Sequence, residues 1–185
     1  MLLSFKTLLF ALVTIGLLRL SWRSLRDRRS HSFYRFFAFQ SIVALILVNL
    51  DEWFYRPLSL RQLVSWLLVI ICVYLFIHGV LLLRRVGKPD RNRDDPSLIG
   101  IEKTTRLVTE GIYRYIRHPI YSAGLFGAWG VFLKNPSLPA AGLSLLTGVF
   151  LIRTARQEEA ENIRFFGEAY SDYMKRTKMF VPYLF

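Results

Sequence analysis

Two short polar clusters interrupt a chain that is otherwise rich in apolar runs, and both carry groups able to do chemistry. The first is Arg117-His118-Pro119-Ile120-Tyr121, inside the stretch Gly111 to Gly124, and the second is Glu158-Glu159. Hydrocarbon does not accept guanidinium, imidazole, phenol and carboxylate groups without a purpose, so their place beside apolar runs predicts a site at a membrane face. A pocket bounded by Glu159 on one side and by His118 and Tyr121 on the other suits a ligand with both cationic and hydroxyl groups. A metal is not expected: His31, His78 and His118 are the only histidines, they lack His-x-x-x-His spacing, and the carboxylates form no ligand cluster with them. The single cysteine, Cys72, allows neither a disulfide framework nor a cysteine metal site. Glycine-rich nucleotide motifs are absent as well.

The elements that must position these residues follow from composition. The chain has 185 residues, 53% of them hydrophobic, and a mean hydropathy of +0.32, more apolar than an ordinary soluble domain. One domain facing lipid is the expectation. The net charge of +12 sits in loops between apolar runs, which suits an anionic leaflet and argues against nucleic acid. The expected class is all-α and polytopic, with about five transmembrane helices in a single domain, 1–185. Three spans fall within 1–83: one through Leu18, one over Phe36 to Leu50 flanked by Phe33, Tyr34 and Trp53, and one over Gln62 to Leu83. Arg19, Leu20 and Trp22 follow the first run where a cleavable leader needs small residues, which favours a retained span. His78 is read as a helix-packing hydrogen bonder. Residues 84–118 form a connecting segment with a flexible loop over Lys88 to Ser97. Residues 119–152 form a tight hairpin turned at Asn135-Pro136-Ser137, with Gly124, Gly127, Gly130, Gly142 and Gly148 allowing close approach. The tail, 153–185, carries a helix out of the fifth span, suited to end at Gly167.

Arg19, Arg23, Arg26, Arg28, Arg29 and Arg35 between the first two spans, and Arg84, Arg85, Lys88, Arg91 and Arg93 after the third, put those segments in the cytosol. The amino terminus is then outside, the carboxyl tail inside, and both polar clusters share the cytosolic face. In the tail, Ile163, Phe166, Tyr170 and Tyr173 recur by threes and fours, and stepping back four from Ile163 reaches Glu159, with Glu158 about 100° away around the helix. An inward Glu159 needs a partner, either Arg156 or an arginine of the 84–118 segment, or a ligand. His118 could equally cap or pack, with Pro119 setting the first turn of helix four.

Leu107-Val108-Thr109-Glu110-Gly111-Ile112-Tyr113, Arg117-His118-Pro119-Ile120-Tyr121, the Asn135-Pro136 turn, Glu158-Glu159, Phe166-Gly167-x-x-Tyr170-x-x-Tyr173 and Phe180-Val181-Pro182 occur in that order. From Leu107 onward the chain thus resembles the integral-membrane isoprenylcysteine carboxyl methyltransferase and phospholipid methyltransferase superfamily. The resemblance implies an enzyme using S-adenosylmethionine without a Rossmann domain and a methyl acceptor arriving from the bilayer: a prenylcysteine-type carboxylate, a phospholipid amine or a thiol. It implies that Arg117, His118, Pro119 and Tyr121 line the cofactor pocket, with Glu159 most directly engaged and Glu158 beside it. The family often has an arginine five residues before that glutamate; here the position is Thr154, and Arg153 or Arg156 could substitute. Transfer to a carboxylate or thiolate needs little acid-base help, so the protein's contribution would be positioning, about 7–11 kcal/mol in well-oriented systems, and exclusion of water. An amine must first lose a proton, and no base stands out. Two other readings remain: a reductase resembling the membrane steroid and sterol reductases, using a nicotinamide cofactor, and a membrane scaffold whose basic loops bind anionic lipid.

Overall fold

The computed structural model describes residues 2–22, 24–28, 30–90 and 103–184; Arg23, Arg29, Arg91, Arg93 and most of the Lys88 to Ser97 loop lie outside the described residues. Six α-helices follow in order: α1 (Leu2–Ser21), α2 (His31–Val48), α3 (Leu60–Arg85), α4 (Pro119–Phe132), α5 (Leu138–Phe166) and α6 (Glu168–Arg176). Serines start three of them. Ser30, Ser59 and Ser137 accept the backbone N–H of Ser32, Gln62 and Ala140, satisfying donors the first turn would leave orphaned. Arg84 and Arg85 close α3, where positive charge meets the negative end of the helix dipole.

α1, α2, α3 and α5 are each long and apolar enough to cross a membrane. α4 is different. Its 14 residues reach about 21 Å, short of the roughly 30 Å of hydrocarbon, because Pro119 fixes its start and the chain turns at Leu133. It forms the expected hairpin with α5 and lies against α3 on its other side, while α2 packs on α5 and α1 packs on α2.

The hairpin turn is anchored by the residue that separates its two apolar runs. Lys134 is fully buried, donates to Gln62 Oε1 at 3.1 Å, and places its ammonium 3.4 Å from the centre of the Trp66 ring. Gln62 in turn donates to the carbonyls of Glu52 and Tyr55. A buried cation is tolerable here because an aromatic face and an amide oxygen replace its water. Near α1's start Lys6 pairs with Asp51 at 2.6 Å, so this end of the bundle gathers the start of α1, the end of α2 and the α4–α5 turn. At the other end, Glu161 of α5 accepts from the backbone N–H of His31 at 3.1 Å and meets its Nδ1 at 2.5 Å, which fixes the first turn of α2 onto the projecting part of α5.

Two glycines set the α3–α4 spacing. A Cβ on Gly127 would lie 2.9 Å from Cys72 Sγ, and one on Gly130 would lie 3.0 Å from Val69 and 3.2 Å from the Ser65 carbonyl oxygen. Ser65 uses that approach to donate to the Gly130 carbonyl at 2.7 Å. Gly142 has open space beside it and Gly148 only ordinary contact, so the close-approach expectation does not extend to those two. His78 also departs from expectation. It is exposed, and its Nδ1 bonds the Tyr74 carbonyl of its own helix at 3.1 Å, with the two rings tilted by 35° and their centres 4.1 Å apart. Gly130→Leu is expected to lower stability by about 1–3 kcal/mol through overpacking, whereas Gly142→Leu leaves it unchanged or slightly higher. Unfolding of both variants in detergent against the parent chain measures the difference.

Candidate functional site

Between α3 and α4 the chain makes a 3-10 turn, Gly111–Arg114, and then runs extended toward Pro119. Gly111 adopts φ +59°, a conformation that favours glycine, and a Cβ there would meet the movable end of Leu82 at 2.7 Å. The extended part is held by the tail. Arg117 N–H donates to the Lys178 carbonyl at 2.8 Å, His118 N–H to that of Met179 at 3.2 Å, and Lys178 N–H to that of Tyr115 at 3.0 Å. The Ser122 hydroxyl donates to the Phe180 carbonyl at 2.8 Å, and Phe180 is buried among Tyr121, Leu151 and Ala155. Gly167, with φ +63°, ends α5 and lets α6 begin at once, as the tail must if it is to return to this face.

This arrangement joins the two polar clusters. Glu159 Oε1 accepts from Arg117 Nε at 2.7 Å and from His118 Nε2 at 3.2 Å, which requires the hydrogen on that nitrogen. Arg117 Nη1 donates to the carbonyls of Met174 and Thr177, leaving Nη2 without a hydrogen bond among the described residues. The ion pair is nearly dry, with side chains 10% and 8% exposed. His118 does not cap α4 with its side chain. Its ring instead stacks on Tyr121, centres 5.5 Å apart and 17° from parallel, and its Nδ1 lies 3.8 Å from Glu158 Oε2, too far for a hydrogen bond.

A cleft open to solvent at its mouth lies beside this triad. Arg117, His118, Pro119, Tyr121 and Glu158 line it; Glu159 sits behind the wall, holding two of those residues in place. Leu83, Val108, Tyr113 and Ile120 supply apolar surface, and Asn162, Phe166, Tyr170 and Tyr173 complete the far side. Asn162 carries a signal that sequence reasoning passed over: it lies four residues after Glu158, on the same face of α5. Phe166, Tyr170 and Tyr173 were visible as a spacing but not as cleft residues.

Burial, with the nearby charge of Glu158, pushes the Tyr170 phenol far above its ordinary range, and burial does the same to Tyr173. Both stay protonated, and Tyr173 donates to the Tyr113 carbonyl at 2.7 Å.

The inward stripe of α5 holds Glu159 as the spacing suggested, but not Ile163. Ile163 is 40% exposed, whereas Leu151, Thr154, Ala155 and Glu159 are buried. The step of four reached the right glutamate along one face, and that face loses its cover only one turn further on, at Ile163. Thr154 is buried with its hydroxyl on the Phe150 carbonyl, while Arg153 and Arg156 are exposed and outside the cleft, so neither takes the place of the family's arginine. Glu159 takes its partner from the 84–118 segment, not from Arg156.

Fold and cleft therefore describe a helical membrane protein with a polar and aromatic chamber at one end of its bundle. The family model for phospholipid methyltransferase matches residues 94–174. The protein-S-isoprenylcysteine O-methyltransferase of Dictyostelium discoideum is 33% identical over 137 residues, covering 71% of this chain and 54% of the relative. That of Xenopus laevis is 31% identical over 130 residues, covering 68% and 44%, and form B of Arabidopsis thaliana is 34% identical over 107 residues, covering 56% and 54%. The chain belongs to the integral-membrane isoprenylcysteine and phospholipid methyltransferase superfamily. It spans about half the length of the curated relatives it matches.

Glu159→Ala would strand a buried guanidinium, and is expected to cost about 3–5 kcal/mol, whereas Glu158→Ala should stay within about 0.5 kcal/mol. Denaturant unfolding without ligand reads both, and equal losses would contradict the division of labour between the two glutamates.

Proposed function

We propose that this chain is a membrane methyltransferase that moves a methyl group from S-adenosylmethionine to a prenylcysteine-type carboxylate, at a cleft on the cytosolic face. The observation that carries this is a pair of groups lining one cleft: the Glu158 carboxylate, which among the described residues accepts no hydrogen bond, and the Arg117 guanidinium, whose Nη2 makes none among them. A carboxylate and a guanidinium presented together suit a zwitterion, and an amino acid moiety is one.

The bound cofactor would supply an electrophilic methyl on a sulfonium. Glu158 attracts its cationic groups, Arg117 Nη2 holds its carboxylate, and the rings of Tyr121 and of Phe166 and Tyr170, the latter two 19° from parallel, offer faces to a cation or a flat base. Glu159 is a positioning residue here. It neutralises Arg117 and orients the His118 ring without reaching the cleft.

The same cleft favours an acceptor that arrives already anionic. Tyr170 and Tyr173 hold their protons, so a protonated amine would need its base at the His118 Nδ1 or at Glu158. A carboxylate needs none. Leu83, Pro119 and Ile120, where α3 meets α4, give the lipophilic part of the acceptor an apolar approach. The names of the relatives point to the same acceptor class. Arg26 and Arg28 before α2, and Arg84 and Arg85 at the end of α3, lie at this end of the bundle and favour the cytosolic side for it.

Calorimetry on the purified chain is expected to show S-adenosylmethionine binding that Glu158→Ala weakens about 10- to 100-fold, the loss of one charge-assisted contact. Labelled methyl transfer should then appear on a farnesylated cysteine carboxylate and not on phosphatidylethanolamine. Binding of NADPH in place of the methyl donor would replace this reading with the reductase, and transfer to the amine lipid alone would overturn the acceptor.

A further inference from the structure

A second concavity lies on the other side of the Gly111–Arg114 turn and shares no lining residue with the cleft. One wall is a single face of α3: Tyr74, His78, Leu81, Leu82 and Arg85 recur at helical spacing. The opposite wall is Ile112, Arg114 and Tyr115. The α3 face runs about 16 Å from Tyr74 past His78, whose ring bonds the Tyr74 carbonyl, and past Leu81 and Leu82 to the guanidinium of Arg85. Arg114, on the opposite wall, is the groove's second arginine. Both are exposed, no carboxylate lines the groove, and among the described residues neither arginine has an acidic partner.

We infer that this groove binds one anionic phospholipid of the surrounding leaflet, its phosphate between Arg85 and Arg114 and its acyl chain along Leu81 and Tyr74. The α3 face ends in the Arg85 guanidinium, and the two cations supply charge complementary to the phosphate of such a lipid. An acyl chain covers the exposed Tyr74, Leu81 and Tyr115. The lipid also braces the cleft from outside, since Leu82 touches Gly111, which begins the turn that carries Tyr113 into the cleft wall.

Native mass spectrometry of the full chain, released from bilayers of equal phosphatidylglycerol and phosphatidylcholine, reads the lipid retained. The parent is expected to retain phosphatidylglycerol roughly tenfold over phosphatidylcholine, in line with two arginines near one phosphate. Arg85→Gln with Arg114→Gln should abolish the preference. Ile112→Trp, which fills the groove and keeps both charges, should abolish it too, whereas Arg153→Gln with Arg156→Gln, an equal charge loss outside the groove, should not. Equal losses in the two arginine pairs would reduce the effect to general attraction by a basic surface and overturn the site. So would full retention by Ile112→Trp, or displacement of the lipid by excess inorganic phosphate alone.

Discussion

The nearly dry contact of Glu159 with Arg117 and His118 is the constraint on which the rest of this structure depends. It joins α5 to the segment that precedes α4, across 42 residues of chain, and Arg117 passes the connection on to the carbonyls that end α6. A charged pair removed from water persists only if its remaining hydrogen bonds are made. That requirement brings the tail back: Lys178 and Met179 lie beside Arg117 and His118 because each extended segment satisfies the other's backbone.

The pair also decides what the cleft can offer a ligand. Two adjacent glutamates on one helix face in directions about 100° apart, so one can be spent inside while the other stays available. Glu159 is spent on holding the imidazole and the guanidinium, and Glu158 keeps its charge for whatever enters. The two ends of the bundle follow one logic with different groups. At the far end, Lys134 is made tolerable by Trp66 and Gln62; at the near end, Arg117 is made tolerable by Glu159. Each buried cation fixes a place where α4 begins or ends, and so the position of a helix too short to be held by length alone.

Much of the architecture was legible as local chemistry. Pro119 at a first turn, Asn135-Pro136 between two runs and Gly167 at the end of a helix act over a few residues, and the structure uses each as expected. Ile163 was read as inward and is exposed. In a membrane chain the lipid is as apolar as the core, so apolar periodicity marks a helix without marking its inside. Ile163 counts as apolar on any scale and yet lies outward.

By itself the sequence determined the helices, their caps, the hairpin and the set of polar residues that had to meet somewhere, because these depend on neighbours within a turn or on whether a group tolerates hydrocarbon. Only the tertiary structure decided which glutamate is paired and which is presented, that Arg153 and Arg156 stand apart from the cleft, and that Asn162, Tyr170 and Tyr173 complete it. Those outcomes rest on the rotation of α5 against α4 and on the returning tail, and rotation is set by contacts between residues far apart in the chain.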